Sequence, residues 1–252
     1  MGVDVGSTTW KAVVIDGEGT VLASRVEPGE PNVDEQTRRV LRELRQATGA
    51  PETVPTGATG YGRKLVKGSA RELTEITCHA LGAFRRTGRG GLLIDVGGQD
   101  TKAIQIGPDG KVRDFAMNDK CAAGTGRFLE VVLARLKVPY ADIEQLVSRA
   151  AQTVAISSTC TVFAESEVIS LISQGLPLEG IILGLHRSLA ERIAALAGRL
   201  SADHSLMMSG GVALNRTLVR AVEEKMGKPI AVVPEPQTTG ALGAALSALA
   251  SA

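Results

Sequence analysis

The sequence predicts an α/β protein built as two lobes of one design, each a sheet with helices, and a cleft between them. Three observations predict it. Residues 95–103 repeat residues 4–12, with Asp, Val, Gly, Lys and Ala coinciding at five of nine positions. Both copies sit in one grammar of apolar strand, Asp, Gly-rich turn, second strand, second turn and third strand. The C-terminal part then alternates strand, helix, strand, helix, which implies a parallel element in the second sheet. The expected lobes are 1–88 and 89–252, with the C-terminal helix free to pack back on the first lobe.

The chain opens as a strand in Gly2-Val3-Asp4-Val5-Gly6, turns at Ser7-Thr8-Thr9 and returns in Trp10-Lys11-Ala12-Val13-Val14-Ile15. That first strand is short for such a lobe, which points to a trimmed start. Asp16-Gly17-Glu18-Gly19 is a hairpin signal, and 20–27 reads as a third antiparallel strand. Val33, Val40, Leu41, Leu44 and Ala47 stand at helical spacing, so 33–48 is a helix, stopped by Gly49-Ala50-Pro51. A further strand over 53–58 leads into Gly60-Tyr61-Gly62-Arg63, and 73–84 is a helix. Its Cys78 and His79 fall in an apolar pattern and read as packing residues, the thiol inert.

After the break at Gly88-Arg89-Gly90-Gly91 the opening pattern returns, strand, Gly-rich turn and second strand running from Gly91 to Ile104. Pro108-Asp109-Gly110 turns the chain into a third strand over 111–117. Helices are then expected over 122–137, 143–151, 160–173 and 178–202. The chain ends with a strand over 205–208, a helix over 215–226, a strand over 229–233 and a helix over 239–250.

Composition removes several function classes. Lys+Arg number 28 against 27 Asp+Glu, with no long run of either sign, so neither a nucleic-acid track nor an anionic membrane surface is indicated. Aromatics are 3%, too few for base-stacking platforms. No apolar run approaches the roughly 20 residues of a membrane helix, and the start shows no signal-peptide pattern, so a cytoplasmic location is expected. In that compartment three cysteines read as structural thiols or metal ligands rather than a disulfide framework.

Asp4-Val5-Gly6-Ser7-Thr8-Thr9 and Asp95-Val96-Gly97-Gly98-Gln99-Asp100 each place an Asp at a strand end before a turn without bulky side chains. Backbone amides in such a turn can approach phosphate oxygens, hydroxyls add donors, and the Asp can hold Mg²⁺ through water. Singly, each is as readily a hairpin turn with a capping Asp. Paired in a repeat, and joined by Ser209-Gly210-Gly211-Val212 after a late strand, they point to a nucleotide between the lobes. No turn ends in Gly-Lys-Ser/Thr, so this is not a P-loop.

Cys121 and Cys160 each stand where a polar run passes into a helical pattern, near a helix N-terminus that favours thiolate, and Lys120 adds positive charge beside Cys121. A soft metal or cluster usually wants four thiolates. Either these cysteines have another use, or two chains contribute two each. Glu165 and Glu167, two residues apart on a helix, do not share a face and read as surface or capping residues.

The paired turns and Met208-Ser209-Gly210-Gly211-Val212-Ala213 resemble the acetate kinase, sugar kinase, heat-shock and actin superfamily. Asn118 to Glu130 and Ser157 to Val168 resemble more closely the ATP-dependent activators of 2-hydroxyacyl-CoA dehydratases, relatives of the benzoyl-CoA reductase ATPase subunits. The likeness runs over essentially the whole chain, including Ala58-Thr59-Gly60-Tyr61-Gly62-Arg63 and Gly240-Ala241-Leu242-Gly243-Ala244-Ala245.

This resemblance implies two actin-like, ribonuclease H-like lobes with a nucleotide cleft, and a homodimer bridging one 4Fe–4S cluster through Cys121 and Cys160 of each chain. It also implies ferredoxin or flavodoxin as electron donor. The acceptor would be an iron–sulfur acyl-CoA dehydratase, or alternatively benzoyl-CoA reductase or a double-cubane cluster protein. Asp4 and Asp95 would serve Mg²⁺, Ser7, Thr8 and Thr9 the phosphates of ATP or ADP, and Gly210 and Gly211 the nucleoside. Gly6, Lys11, Gly97, Gly98, Asp100, Gly124, Val212 and Asn215 complete the expected nucleotide set. Gln99 is the candidate for positioning the attacking water, from its place in the second turn. Two readings of other classes stay open: a small-molecule kinase of the superfamily, which needs an acceptor pocket with a general base, and a nucleotide-gated regulator.

Overall fold

A computed structural model describes residues 1–118, 124–158, 160–200 and 205–250. Both meanders form. The first gives β1 (Gly2–Val5), β2 (Thr9–Ile15) and β3 (Val21–Pro28), the second β6 (Gly91–Val96), β7 (Thr101–Ile106) and β8 (Val112–Asn118). Parallel strands extend each: β4 (Gly57–Thr59) and β5 (Arg71–Glu72) beside β1, β9 (Leu206–Ser209) and β10 (Ile230–Val232) beside β6. The two five-stranded sheets, β3-β2-β1-β4-β5 and β8-β7-β6-β9-β10, therefore share one topology. The central strands β1 and β6 are buried at every residue, which is why they read as continuous apolar runs rather than alternating ones.

Helix α1 (Val33–Thr48) is set by local signals. Asn32 caps its start by accepting from the Glu35 amide, its own amide nitrogen reaches Glu35 Oε2 at 2.9 Å, and Gly49 closes it in the left-handed conformation. Its buried face of Val40, Leu41 and Leu44 joins the core formed by β1 and β2. The expected strand over 53–58 shrinks to β4, because Pro55 cannot donate to a ladder.

Helix α2 (Glu75–Thr87), capped by Thr74, and the C-terminal helix α8 (Thr239–Leu249) link the sheets. Ala80 and Ala83 of α2 pack on Leu93, Ile104 and Met207 of the second sheet, whereas Ala241, Leu242 and Ala245 of α8 pack on Val13 and Ile15 of the first. The helix first in sequence thus lies on the later sheet, and the last helix on the earlier one. They also pack on each other through glycines: a Cβ at Gly243 would stand 1.9 Å from the Cys78 carbonyl oxygen, and one at Gly82 2.0 Å from that of Thr239.

The remaining helices, α3 (Gly126–Leu136), α4 (Ile143–Val147), α5 (Thr161–Ser173), α6 (Leu178–Ala197) and α7 (Arg216–Met226), share one large core with β6 and β9. Helix α3 starts later than expected because Gly124-Thr125 precedes it, Thr125 being extended. Helix α6 stops at Gly198, a poor helix former. Among the described residues no helix is long and apolar enough to cross a membrane.

Candidate functional site

The site begins with sheet register. Asp4 is the direct partner of Lys11 across β1 and β2, and Asp95 of Lys102 across β6 and β7. Residues directly opposite on antiparallel strands present their side chains on one face, so each lobe carries an Asp–Lys pair at the mouth of its turn. Lys11 Nζ lies 3.2 Å from Asp4 Oδ2, and Lys102 Nζ 3.5 Å from Asp95 Oδ2. The two turns face each other closely: a Cβ at Gly98 would stand 2.5 Å from Thr8 Oγ1, so this position admits only glycine while the turns stay apposed.

Between the turns lies a cavity of about 220 Å³. It is lined by Asp4, Gly6, Ser7, Thr8, Thr9 and Lys11 of the first lobe, Asp95, Gly97, Gly98 and Asp100 of the second, and Gly210, Gly211 and Val212 of the late turn. The expected site residues converge there with four exceptions. Gln99 is exposed at the tip of its turn and lies outside the lining, so the side chain expected to aim at water points elsewhere. Asn215 caps α7, accepting from the Leu218 amide, and its amide meets the buried His186 ring at 2.9 Å rather than the cavity. Gly124 also lies outside the lining; its carbonyl accepts from Thr101 Oγ1. Cys160 stands apart, exposed at the start of α5. Cys121, with Asp119, Lys120 and Thr159, lies outside the described residues.

Several lining residues escaped the sequence reading: Tyr61, Glu75, His79, Lys102, Gly126, Glu130, Tyr140 and Gln237. Lys102 had a visible signal, the lysine shared by the repeat. Glu75 and His79 had none, since only the passage of α2 behind the cleft turns their face toward Asp95. His79, expected to be a packing residue, has Nδ1 3.2 Å from Asp95 Oδ1 without making a hydrogen bond. Burial drives the pKa of the Cys78 thiol beside it up to about 12, which disfavours the reactive thiolate.

Lys102 organises the charge at the floor. Its ammonium lies 2.6 Å from Asp100, 2.8 Å from Glu75 and 3.5 Å from Asp95. Burial pulls the Lys102 pKa down, but the three carboxylates outweigh it and hold the ammonium above its ordinary range. Burial pushes Asp95 up, yet His79, Lys102, the Ser209 hydroxyl at 2.8 Å and Lys11 together keep it ionised below its usual value. Glu75 goes the other way, raised by burial against the pull of Lys102. An acid held ionised beside one raised toward neutrality is the arrangement that lets one carboxylate steady a cation while another handles a proton.

Among the described residues no group of three or more His, Cys, Asp and Glu is arranged to hold a metal ion directly. Asp4 and Asp95 are each engaged by a lysine, so they suit Mg²⁺ held through water, accompanying phosphate, rather than a cage of protein ligands.

Comparison with known proteins agrees with this geometry. The profile of the BadF/BadG/BcrA/BcrD ATPase family matches residues 1–248. The activator of lactoyl-CoA dehydratase from Anaerotignum propionicum is 44% identical over 255 residues, covering 100% of this chain and 98% of that protein. The (R)-2-hydroxyglutaryl-CoA dehydratase activating ATPase from Acidaminococcus fermentans is 44% identical over 251 residues, 98% of this chain and 96% of its own. The structure of the 2-hydroxyisocaproyl-CoA dehydratase activator from Clostridium difficile, with bound ADPNP, superimposes with a TM-score of 0.92 at 38% identity, covering 99% of this chain and 94% of that one. Two topologically equal mixed sheets around a cleft lined by paired Asp–Gly turns, and a match over nearly the whole length, make this chain a member of the BadF/BadG/BcrA/BcrD ATPase family.

Proposed function

We propose that this chain is an ATP-hydrolysing activator that delivers a low-potential electron to an iron–sulfur (R)-2-hydroxyacyl-CoA dehydratase. The observation that carries the reading is full-length similarity to dehydratase activators, one of them seen with an ATP analogue bound. The nucleotide's phosphates would lie between the two turns, with Ser7, Thr8, Thr9 and Lys11 contacting them and Asp4 and Asp95 steadying Mg²⁺. Gly210, Gly211 and Val212 would meet the nucleoside. Water attacks the terminal phosphorus, and ADP and phosphate leave. Glu75, in the first turn of α2 and on the cavity wall, takes the role first expected of Gln99, because it faces the cavity and burial raises its carboxyl above its ordinary value.

The segment around Cys160 supports a homodimer. Cys160 is exposed at the N-cap of α5, and Val162 and Phe163 beside it are 69% and 68% exposed. A thiol at a helix N-terminus, flanked by uncovered apolar side chains, fits a sulfur ligand shared with a second copy. Cys121 and Cys160 of each chain would supply the four thiolates of a 4Fe–4S cluster. Bound there, the cluster would accept one electron from ferredoxin or flavodoxin and pass it to the dehydratase. The test is anaerobic purification followed by absorbance, iron and sedimentation measurements. A brown dimer that loses colour and dimerisation in Cys121→Ser is expected. A wild-type dimer that stays colourless after reconstitution with iron and sulfide would overturn the cluster, and a phosphorylated small-molecule product without one would identify a kinase instead.

A further inference from the structure

The second phosphate turn and the cysteine segment around Cys160 are joined by hydrogen bonds and one ring contact that the nucleotide chemistry does not itself require. The first two amides of α3, from Gly126 and Arg127, donate to the carbonyls of Gly97 and Gly98, each at 2.9 Å. Opening amides of a helix have no partner within it, so the phosphate turn is the cap of α3. Gly126 is also wedged against the late turn: a Cβ there would stand 2.8 Å from Val212 Cγ2. Any shift of the turn when phosphate binds must carry α3 with it or leave two amide donors without their acceptors.

Phe128, fully buried in the first turn of α3, passes the position on. The Arg192 guanidinium of α6 lies 4.9 Å from its ring centroid, and Arg192 Nη2 donates to the Ser158 carbonyl at 2.9 Å. Ser158 is two residues before Cys160. The same loop is held from the other side by Glu167, whose carboxylate accepts from the Ser157 amide, the Ser157 hydroxyl and the Ser158 amide at 2.7–2.8 Å. A planar fork that stacks on a ring and donates at its edge fixes direction as well as distance, which a flexible ammonium does not.

From this geometry we infer that Arg192 is a positioning residue that couples the nucleotide at the second phosphate turn to the placement of the Cys160 loop. The coupling itself needs no cluster; its purpose, setting the exposure of a redox centre, rests on the function proposed above.

Hydrogen exchange read by mass spectrometry on the anaerobically purified full-length chain tests it, without nucleotide, with ADP and with a non-hydrolysable ATP analogue. In the wild type, peptides containing Ser157, Ser158 and the first turn of α5 are expected to change exchange rate about fivefold or more between nucleotide states. In Arg192→Gln that ratio falls toward one, while nucleotide affinity and the protection of the second phosphate turn stay at wild-type values. Arg192→Lys, which keeps the charge and loses the fork, is expected to give a reduced response and decides the matter if the Gln variant does not fold. A full response in whichever variant folds, or none in the wild type, overturns the inference. Iron content of the same samples separates it from the proposed function: a cluster-free wild type that still responds leaves the coupling standing and removes electron transfer. A cluster-bearing protein whose response ignores Arg192 does the reverse.

Discussion

The two phosphate turns carry the same Asp–Lys pair at the same register and use it differently. In the first lobe Lys11 meets Asp4 and keeps 14% of its side chain exposed, facing the cavity. In the second, Lys102 is 2% exposed and surrounded by Asp95, Asp100 and Glu75. On the proposed function Lys11 would meet an incoming phosphate, whereas Lys102 is committed to holding carboxylates together. Three acids face one ammonium in the second lobe, and on the proposed function their surplus negative charge would suit a cation arriving with the nucleotide. A sequence repeat preserves the geometry of a pair; its job is set by what the rest of the fold brings alongside.

Removing each lysine breaks the comparison most sharply. Lys102→Met leaves buried carboxylates uncompensated and is expected to cost about 3–5 kcal/mol of stability in urea unfolding at neutral pH. Lys11→Met should cost about 1.5 kcal/mol and act mainly by raising the KM for ATP. Equal losses of stability would show the two pairs to be equivalent.

The next largest effect separates the two candidates for handling water. Glu75→Gln is expected to lower ATP turnover about 100-fold or more at unchanged nucleotide affinity, and Gln99→Ala to leave turnover near wild type. Since the Glu75 carboxyl is raised, its basic form appears only at a pH above the ordinary value of 4.5. The rate should therefore fall as pH drops through that raised value, and this acid limb should vanish in Glu75→Gln. A fully active Glu75→Gln would return the role to another group.

The smallest effect lies outside the cleft and serves as its control. The Glu167 pKa is lowered to about 2: burial would raise it, but the hydrogen bonds from Ser157 and Ser158 outweigh that. A depressed acid stabilises the fold above its unfolded value of 4.5 and loses that contribution as pH falls toward 2. Because the group is partly exposed and screened by solvent, Glu167→Gln should cost no more than about 1 kcal/mol at neutral pH, and the difference from wild type should close over that window.

Much of this was legible in the residues themselves. The meanders, α1 with its Asn32 cap and Gly49 stop, and the Asp–Gly turns follow from local pattern, because strand alternation, capping and turn chemistry act over a few residues. The late strand and turn, Leu206–Ser209 followed by Gly210 and Gly211, was equally readable. Cys160 at the start of α5 was readable too, since a helix terminus is marked where a polar run meets an apolar period.

What no local pattern holds is which faces meet. Glu75 and His79 belong to an ordinary amphipathic helix until α2 crosses to the second sheet and turns them toward Asp95. Asn215 belongs to the nucleotide set the resemblance implies, and packing against α6 pairs it with His186 and the cap of α7. Gln99 sits in the right turn with its side chain outside it. The sequence by itself determined the repeat, the two turns and the place of Cys160 at a helix start, because those depend on neighbours along the chain. Only the tertiary structure decided that Lys102 is buried among three acids, that Glu75 rather than Gln99 faces the cavity, and that Arg192 joins a phosphate turn to a cysteine loop. Those contacts arise between residues far apart in sequence, where burial and charge act through space.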